Sequence, residues 1–323
     1  MKGLDALKNL RIFHGNATPE LAKAIAKELH TKPAEAVTKR FADGEVWVDI
    51  NESVRGKHAF IVQSTCKPVN DSLMELLVII DALKRATVLR VTAVIPYYGY
   101  GRQDKKASPR EPISARLVAN LIEKAGADDV LSVDLHSGQT QGFFQIPVDN
   151  LTARPLMVQH ARRNFKNLKD VIVVSPDAGG AKRAQEFANA LGTPLAIIHK
   201  TRPMPNRSQV THVVGYTALK TALLYDDIVD TAGSLANAAD ALAANGTKEV
   251  YAYCTHAVLS DDAVKRIRDS KIKKLIVTDS IPLSAEARAC KKIEVVSLAP
   301  LIAQAIERNQ KNMSVSELFR NGY

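Results

Sequence analysis

Short runs rich in Val, Ile and Leu alternate with segments of helical period, and this alternation restricts the fold of the chain more than any other feature. In the first half, "HAFIVQS", "VTAVIPYY" and "VLSVDLH" read as buried strands, with "SLMELLVIIDALKRA" and "ISARLVANLIEKAG" as helices between them. In the second half, "VIVVSPD", "LAIIHK", "TALLYDDIVD", "EVYAYCTHAVL" and "KLIVTDSI" read as strands, again with helices between. Fully apolar strands separated by helices predict an α/β fold with a mainly parallel sheet covered on both faces. Local signals agree. Thr18 and Pro19 open a helix in "NATPELAKAIAKEL", Ser72 and Glu75 form a possible capping box, and Gly126 closes a helix.

Each half repeats one design, in which a strand ends in an acid or a Gly-rich turn and a helix follows. The pattern predicts two similar α/β domains in tandem, with the boundary near "IPVDNLTARPL", giving domains 1–152 and 153–323. The last dozen or so residues are expected to pack back on the first domain. Helix 73–83 is almost wholly apolar and is expected to be covered on every side, in a core or at a subunit interface.

Composition narrows the function classes. The chain has 323 residues, 46% of them hydrophobic and 24% charged, which is the balance of an ordinary globular protein. No apolar run approaches the roughly 18 residues of a membrane helix, and the amino terminus lacks a signal-peptide core. A cytoplasmic protein with no membrane partner is expected. Cys66, Cys254 and Cys290 form no CxxC pair and read as reduced, partly buried residues. The formal net charge of +10 favours anionic partners. Basic residues are scattered and aromatic residues make up only 5%, which suits phosphorylated metabolites better than nucleic acid.

Strand ends are where ligands of open α/β sheets bind. The most informative is "LLYDDIVDTAGSLANAADAL". Small residues and hydroxyls from Asp230 to Ser234 lead into a helix, and successive N–H groups at such a place suit a phosphate. Asp226 and Asp227 cannot serve the same anion; they suit sugar hydroxyls or a metal. "VIVVSPDAGGAKRAQEF" repeats the arrangement, with Asp177 at the strand end, Gly179 and Gly180 for close approach, and Lys182 and Arg183 as positive charge. Asp134 and His136 stand at a third strand end, where His136 is either structural or a contact to metal or phosphate. Zinc is disfavoured for want of a second His or Cys at ligand spacing, and magnesium fits better. "IPYYGYGRQDKKASPREP" offers Arg102, Gln103 and Lys105 to a nucleotide, although neither a Walker A nor a Rossmann fingerprint is present. "RFADGEVWVDI" reads by itself as a hairpin turning on Asp43 and Gly44. "IIHKTRPMPNRS" places Lys200 and Arg202 on a loop that can close over a transferring group.

Taken together, these segments resemble the ribose-phosphate pyrophosphokinase family over essentially the whole length. The resemblance rests on "RFADGE", "MELLVIIDALKRA", "IPYYGYGRQDKK", "REPISARLVANL", "DLHSGQTQGFFQIPVDN", "SPDAGGAKRA", "HKTRPMPN", "DDIVDTAGS", "THAVLS" and "SVSELF", in the family's order. It implies two tandem phosphoribosyltransferase-type domains and transfer of diphosphate from ATP to O1 of ribose 5-phosphate, with AMP released. It also implies an ATP site of Phe41, Asp43, Gly44, Glu45, Arg102, Gln103, Asp104 and Lys105. Ribose 5-phosphate would meet Arg202, Asp226, Asp227 and the loop Asp230, Thr231, Ala232, Gly233 and Ser234. A diphosphate loop would comprise Asp177, Ala178, Gly179 and Gly180. Magnesium (Mg2+) would be served by His136 and Asp177, and Lys200 with Arg202 would be catalytic. A homo-oligomer, a hexamer built from dimers, is implied as well.

The chain departs from the family at Ser234, where Thr is usual, and around Lys200, where the usual Asp-Lys-Arg-Arg-Pro reads His199 to Pro203. It also carries Ser108 and Pro109 in a segment the family associates with regulation. Two rival readings are a phosphoribosyltransferase that consumes the product and a non-catalytic regulatory subunit. Retention of His136, Asp177, Lys200 and Arg202 argues against the second.

Overall fold

A computed structural model of the chain describes residues 8–201, 210–218 and 220–320. Its contacts divide these residues into two compact units. One holds the residues up to Ala153 together with 280–282 and the segment from Ser297 onward; the other holds 154–279 and 283–296. The final return to the first unit begins at Ser297, after a brief one at 280–282, so it involves more than the last dozen residues.

In the first unit, β1 (Leu10–His14), β4 (His58–Val62), β5 (Arg90–Ile95), β6 (Asp129–Val133) and β7 (Val148–Leu151) form a five-stranded parallel sheet in the order β1-β4-β5-β6-β7. Every residue of β4 and β6 is buried, because helices cover a parallel sheet on both faces. The helices are α1 (Pro19–Glu28), α2 (Val69–Arg85) and α3 (Ser114–Ala125). Gly126 takes the left-handed conformation that ends α3, at φ +114°. Between β1 and β4, β2 (Ala36–Arg40) and β3 (Val46–Ile50) pair as an antiparallel hairpin around Gly44, at φ +97°. Gly99, just past β5, has a requirement of another kind. A Cβ there would lie 2.2 Å from the Thr65 carbonyl oxygen, so only glycine allows the two connections to approach.

Three local expectations are corrected. Ser72 does not cap α2, which begins three residues earlier at Val69. Glu75 instead lies buried within α2, accepting hydrogen bonds from Asn16 N (2.9 Å) and Gln63 Nε2 (2.9 Å), which ties α2 to the β1 and β4 connections. Thr18 stands at the N-cap of α1, but its hydroxyl faces the Val62 carbonyl and the Ser64 N–H rather than its own helix. Nor does the chain itself cover helix 73–83 on every side, since Met74 is 50% exposed.

The second unit is a seven-stranded sheet in the order β10-β9-β8-β11-β12-β13-β14. Its strands are β8 (Val171–Ser175), β9 (Leu195–Thr201), β10 (Val210–Val214), β11 (Thr221–Val229), β12 (Glu249–Ala257), β13 (Ile272–Thr278) and β14 (Ile293–Val296). All neighbours run parallel except β9 and β10. Helices α4 (Arg154–Asn164), α5 (Ala181–Leu191), α6 (Gly233–Ala244), α7 (Ala263–Asp269) and α8 (Ala285–Ala289) complete it. Helix α9 (Ala299–Gln310) belongs to the first unit, where it packs on α1. All three cysteines are reduced and buried, and burial pushes the Cys66 thiol up to about 11, which leaves it a packing group.

Candidate active site in the second unit

Strand order explains where the second unit can bind a ligand. From β8 the chain runs outward through β9 to β10, then returns to β11 on the other side of β8 and runs outward again to β14. The crevice between the carboxyl ends of β8 and β11 is therefore the switch point of the sheet, where ligands of open α/β sheets bind. The two strand–turn–helix segments singled out in the sequence open side by side there, because β8 and β11 pair directly, with Leu224 opposite Val174.

The loop after β8 is tightly self-bonded. Ser175 Oγ donates to the Asp177 carbonyl at 2.6 Å, and Gly180 N donates to Asp177 Oδ1 at 2.9 Å, immediately before α5. A Cβ on Gly180 would lie 3.1 Å from Ser175 Oγ and 3.8 Å from Asp226 Oδ1, so the absence of a side chain keeps the two strand ends close. Of Asp177, Ala178, Gly179 and Gly180, it is Gly180 that lies against the Asp226 carboxylate.

Asp226 and Asp227 lie near the carboxyl end of β11, with Asp226 beside this loop. The sequence offers Arg183 as positive charge for an anion; the structure turns it instead onto the carboxylates. Its Nη1 lies 3.0 Å from Asp226 Oδ1 and 2.9 Å from Asp227 Oδ1. The core fixes this geometry. Phe187, one turn along α5 from Arg183, stacks on Tyr225 with ring centroids 4.2 Å apart and planes 10° apart. Residues four apart share a helix face, so the stack that seats Phe187 on Tyr225 delivers Arg183 to the next two residues of β11. The Asp227 N–H also donates to Asp226 Oδ1 at 2.9 Å.

One guanidinium between two carboxylates does not fully compensate them. Burial, and next the neighbouring Asp227, push Asp226 up to about 7, while Arg183 pulls the other way. The sign for stability follows. A carboxyl whose folded pKa is raised favours folding when protonated, and that contribution is lost as the pH rises through about 7. Between about pH 4 and pH 7 the ligand-free protein should lose thermal stability relative to Asp226→Asn, as read by parallel melts. A gap between the two melting curves that does not change with pH would remove Asp226 as the titrating group.

The loop from Asp230 to Ser234 follows β11 and opens α6. Ala232 sits in the left-handed region at φ +61°, and Gly233 is the first residue of the helix. The carbonyls of Val229, Asp230 and Ala232 accept from Leu259 N (3.1 Å), Ser260 N (3.1 Å) and Ala236 N (3.0 Å). Carbonyl and following N–H point opposite ways in a trans peptide, so the N–H groups of Asp230, Thr231 and Gly233 face away from these anchors. A helix N-terminus with outward N–H groups and the exposed Thr231 and Ser234 beside it is equipped for an anion.

The remaining expected residues lie elsewhere. Lys200 is on β9, its backbone opposite Thr211 of β10, and Arg202 lies outside the described residues. His136 is exposed just after β6, in the first unit, so the residues His136 and Asp177 fall in different units. Among the described residues no group of three or more His, Cys, Asp or Glu gathers to hold a metal. Asp177 supplies the hard oxygen that magnesium prefers, and an ion held by few protein groups is completed by substrate phosphates and water. Phe41, Asp43, Gly44 and Glu45 form the tip of the β2–β3 hairpin, where Glu45 N donates to Asp43 Oδ1 at 3.1 Å and Phe41 is exposed. The hairpin that "RFADGEVWVDI" suggests is therefore formed, with Phe41 left open at its tip. Arg102, Gln103 and Lys105 are exposed on the β5–α3 connection, with Asp104 half-buried among them.

Both sequence and structure comparisons agree with this architecture. Residues 10–126 match the family model described as the N-terminal domain of ribose phosphate pyrophosphokinase, and residues 202–320 match the phosphoribosyl synthetase-associated domain. The ribose-phosphate pyrophosphokinase of Oceanobacillus iheyensis is 52% identical over 311 residues, 96% of this chain and 97% of that protein. That of Bradyrhizobium diazoefficiens is 53% identical over 312 residues, covering 96% and 98%. The crystal structure of phosphoribosylpyrophosphate synthetase from Mycobacterium smegmatis superposes with a TM-score of 0.89 at 44% identity, covering 94% of this chain and 99% of that one. Half the residues are shared along nearly the full length of both chains, and the two parallel α/β units are the family's tandem phosphoribosyltransferase-type domains; the chain belongs to the ribose-phosphate pyrophosphokinase family.

Proposed function

We propose that this protein transfers the diphosphate group of ATP to O1 of ribose 5-phosphate, giving 5-phosphoribosyl 1-diphosphate and AMP for nucleotide, His and Trp biosynthesis. The observation that carries the reading is the switch-point site itself, with a carboxylate pair and an anion loop on one strand–helix connection of a chain in this family. The 5-phosphate is held by N–H groups of the Asp230–Ser234 loop and the hydroxyls of Thr231 and Ser234. Asp226 and Asp227 accept hydrogen bonds from the ribose hydroxyls, which fixes the sugar relative to its phosphate. The β8 loop, Asp177 to Gly180, faces the diphosphate being transferred. The first unit supplies Phe41, Asp43, Gly44, Glu45 and the 102–105 segment to ATP.

O1 forms a bond to the β-phosphorus, the bridging oxygen between the α and β phosphorus atoms leaves with AMP, and the O1 proton passes to solvent. Such transfer depends on alignment and charge neutralisation, so no covalent nucleophile is required. Lys200 and Arg202 stabilise charge developing on the transferred group. Magnesium, served by Asp177 of the β8 loop and by His136 of the first unit, would supply charge neutralisation to the phosphates. The protein acts in the cytoplasm as a homo-oligomer, a hexamer by family resemblance. Exposed Leu117 and Leu121, one turn apart on α3, offer apolar surface for assembly.

A phosphorus NMR time course of protein, ribose 5-phosphate, ATP and magnesium tests the reaction. AMP and a new diphosphate ester on the sugar are expected. Formation of ADP would mean transfer of a single phosphoryl group and would overturn the proposal. Binding of both ligands without turnover would instead establish a regulatory subunit.

A further inference from the structure

We infer that Arg266 is a positioning residue for ribose 5-phosphate, acting through the carbonyl of Thr231; the inference rests on the reading of the Asp230–Ser234 loop as the 5-phosphate site. Arg266 lies on α7, and its Nη1 donates to the Thr231 carbonyl at 2.8 Å. This completes a row. The carbonyls of Val229, Asp230, Thr231 and Ala232 all accept hydrogen bonds, from Leu259 N, Ser260 N, Arg266 Nη1 and Ala236 N in turn. Three of these anchors come from the β12–α7 segment, and Arg266 is the one contributed by a side chain.

The anchor sits where the loop most needs it. Ala232 holds φ at +61°, in the left-handed region, which a non-glycine residue keeps only when neighbours enforce it. The Thr231–Ala232 peptide is the one whose carbonyl Arg266 grips, so the Ala232 N–H is turned to the opposite side, toward the anion. The bond is also charge-assisted. A guanidinium on the carbonyl polarises that peptide and strengthens the Ala232 N–H as a donor to phosphate. Arg266 thus supplies positive potential to the 5-phosphate without touching it.

The expected signature is a split between substrates. Arg266→Leu should raise Kd and KM for ribose 5-phosphate about tenfold, the loss of one charge-assisted hydrogen bond, with KM for ATP and kcat at saturation within about twofold. Arg266→Gln keeps a neutral donor and Arg266→Lys keeps the charge, and both should fall between the leucine variant and the parent. Calorimetric titration of ribose 5-phosphate into the full-length parent, these variants and Ser234→Ala distinguishes the outcomes. Weaker binding in Ser234→Ala with unchanged binding in Arg266→Leu would overturn this inference alone. Unchanged binding in Ser234→Ala would overturn the loop reading and this inference with it. Equal losses toward ATP and ribose 5-phosphate in the Arg266 variants would mean a general structural role and would also overturn it. Should Arg266→Leu not fold, Arg266→Gln decides by the same criteria.

Discussion

Replacing Lys200 by alanine should lower kcat about 100-fold or more, while KM for ribose 5-phosphate stays within about twofold. The reason is where the charge develops. As the bond from the bridging oxygen to the β-phosphorus breaks, negative charge grows on the leaving and transferred oxygens, and a cation placed there acts on the transition state more than on the bound sugar phosphate. In the proposed site the 5-phosphate takes its donors from the Asp230–Ser234 loop, after β11, whereas Lys200 lies on β9, beyond β8. Loss of the lysine therefore separates rate from affinity. Lys200→Arg, which keeps the charge but changes its shape, should recover part of the rate. Steady-state kinetics with both substrates varied reads the outcome. Unchanged turnover in Lys200→Ala would remove this residue from the mechanism.

Arg183→Met carries the second large effect, and it reaches both stability and binding. The arginine is the counter-ion of Asp226 and Asp227, and Asp227 is 3% exposed. Removing one partner of a fully buried ion pair costs about 3–5 kcal/mol; a guanidinium with 28% of its side chain exposed sits toward or below the lower end, about 2–3 kcal/mol. Methionine keeps most of the aliphatic stem, so the loss reports charge more than packing. Acid should recover it, since a protonated carboxyl no longer needs the cation. The destabilisation should therefore be larger near pH 8 than near pH 5, and affinity for ribose 5-phosphate should fall as the carboxylate pair rearranges. Denaturant melts at both pH values, with titration of the sugar phosphate, test this. A loss of the same size at both would show that Arg183 acts by packing.

These two residues also mark how far a sequence of this kind can be read. Lys200 is accessible as part of a motif, in "HKTRPMPN". Arg183 is visible only as one of two basic residues after "DAGG", where it resembles a ligand for an anion. Its real partners stand more than 40 residues away along the chain, Asp226 at a separation of 43. The residues proposed for ATP divide in the same manner. "ADGE" signals a hairpin, which the structure forms between β2 and β3, while the exposure of Phe41 at its tip depends on what the hairpin packs against. Arg266 gives no signal at all, because a side chain whose partner is a backbone carbonyl leaves no trace in residue types.

The α/β class, the positions of most strands and the two strand–turn–helix loops all follow from the order of residues. Those features are local: apolar runs bury a parallel strand, and small residues with hydroxyls at a helix start expose N–H groups. Residue order does not disclose that β11 returns to pair with β8, which makes their junction the switch point of the sheet. Nor does it disclose that Phe187 stacks on Tyr225 and so brings Arg183 to the aspartates. Strand pairing and side-chain packing are contacts between distant residues, chosen by the burial of the whole sheet. Which charge meets which is settled only when the sheet is assembled, and with it why two adjacent carboxylates can stand within the last residues of β11, before Ile228 and Val229.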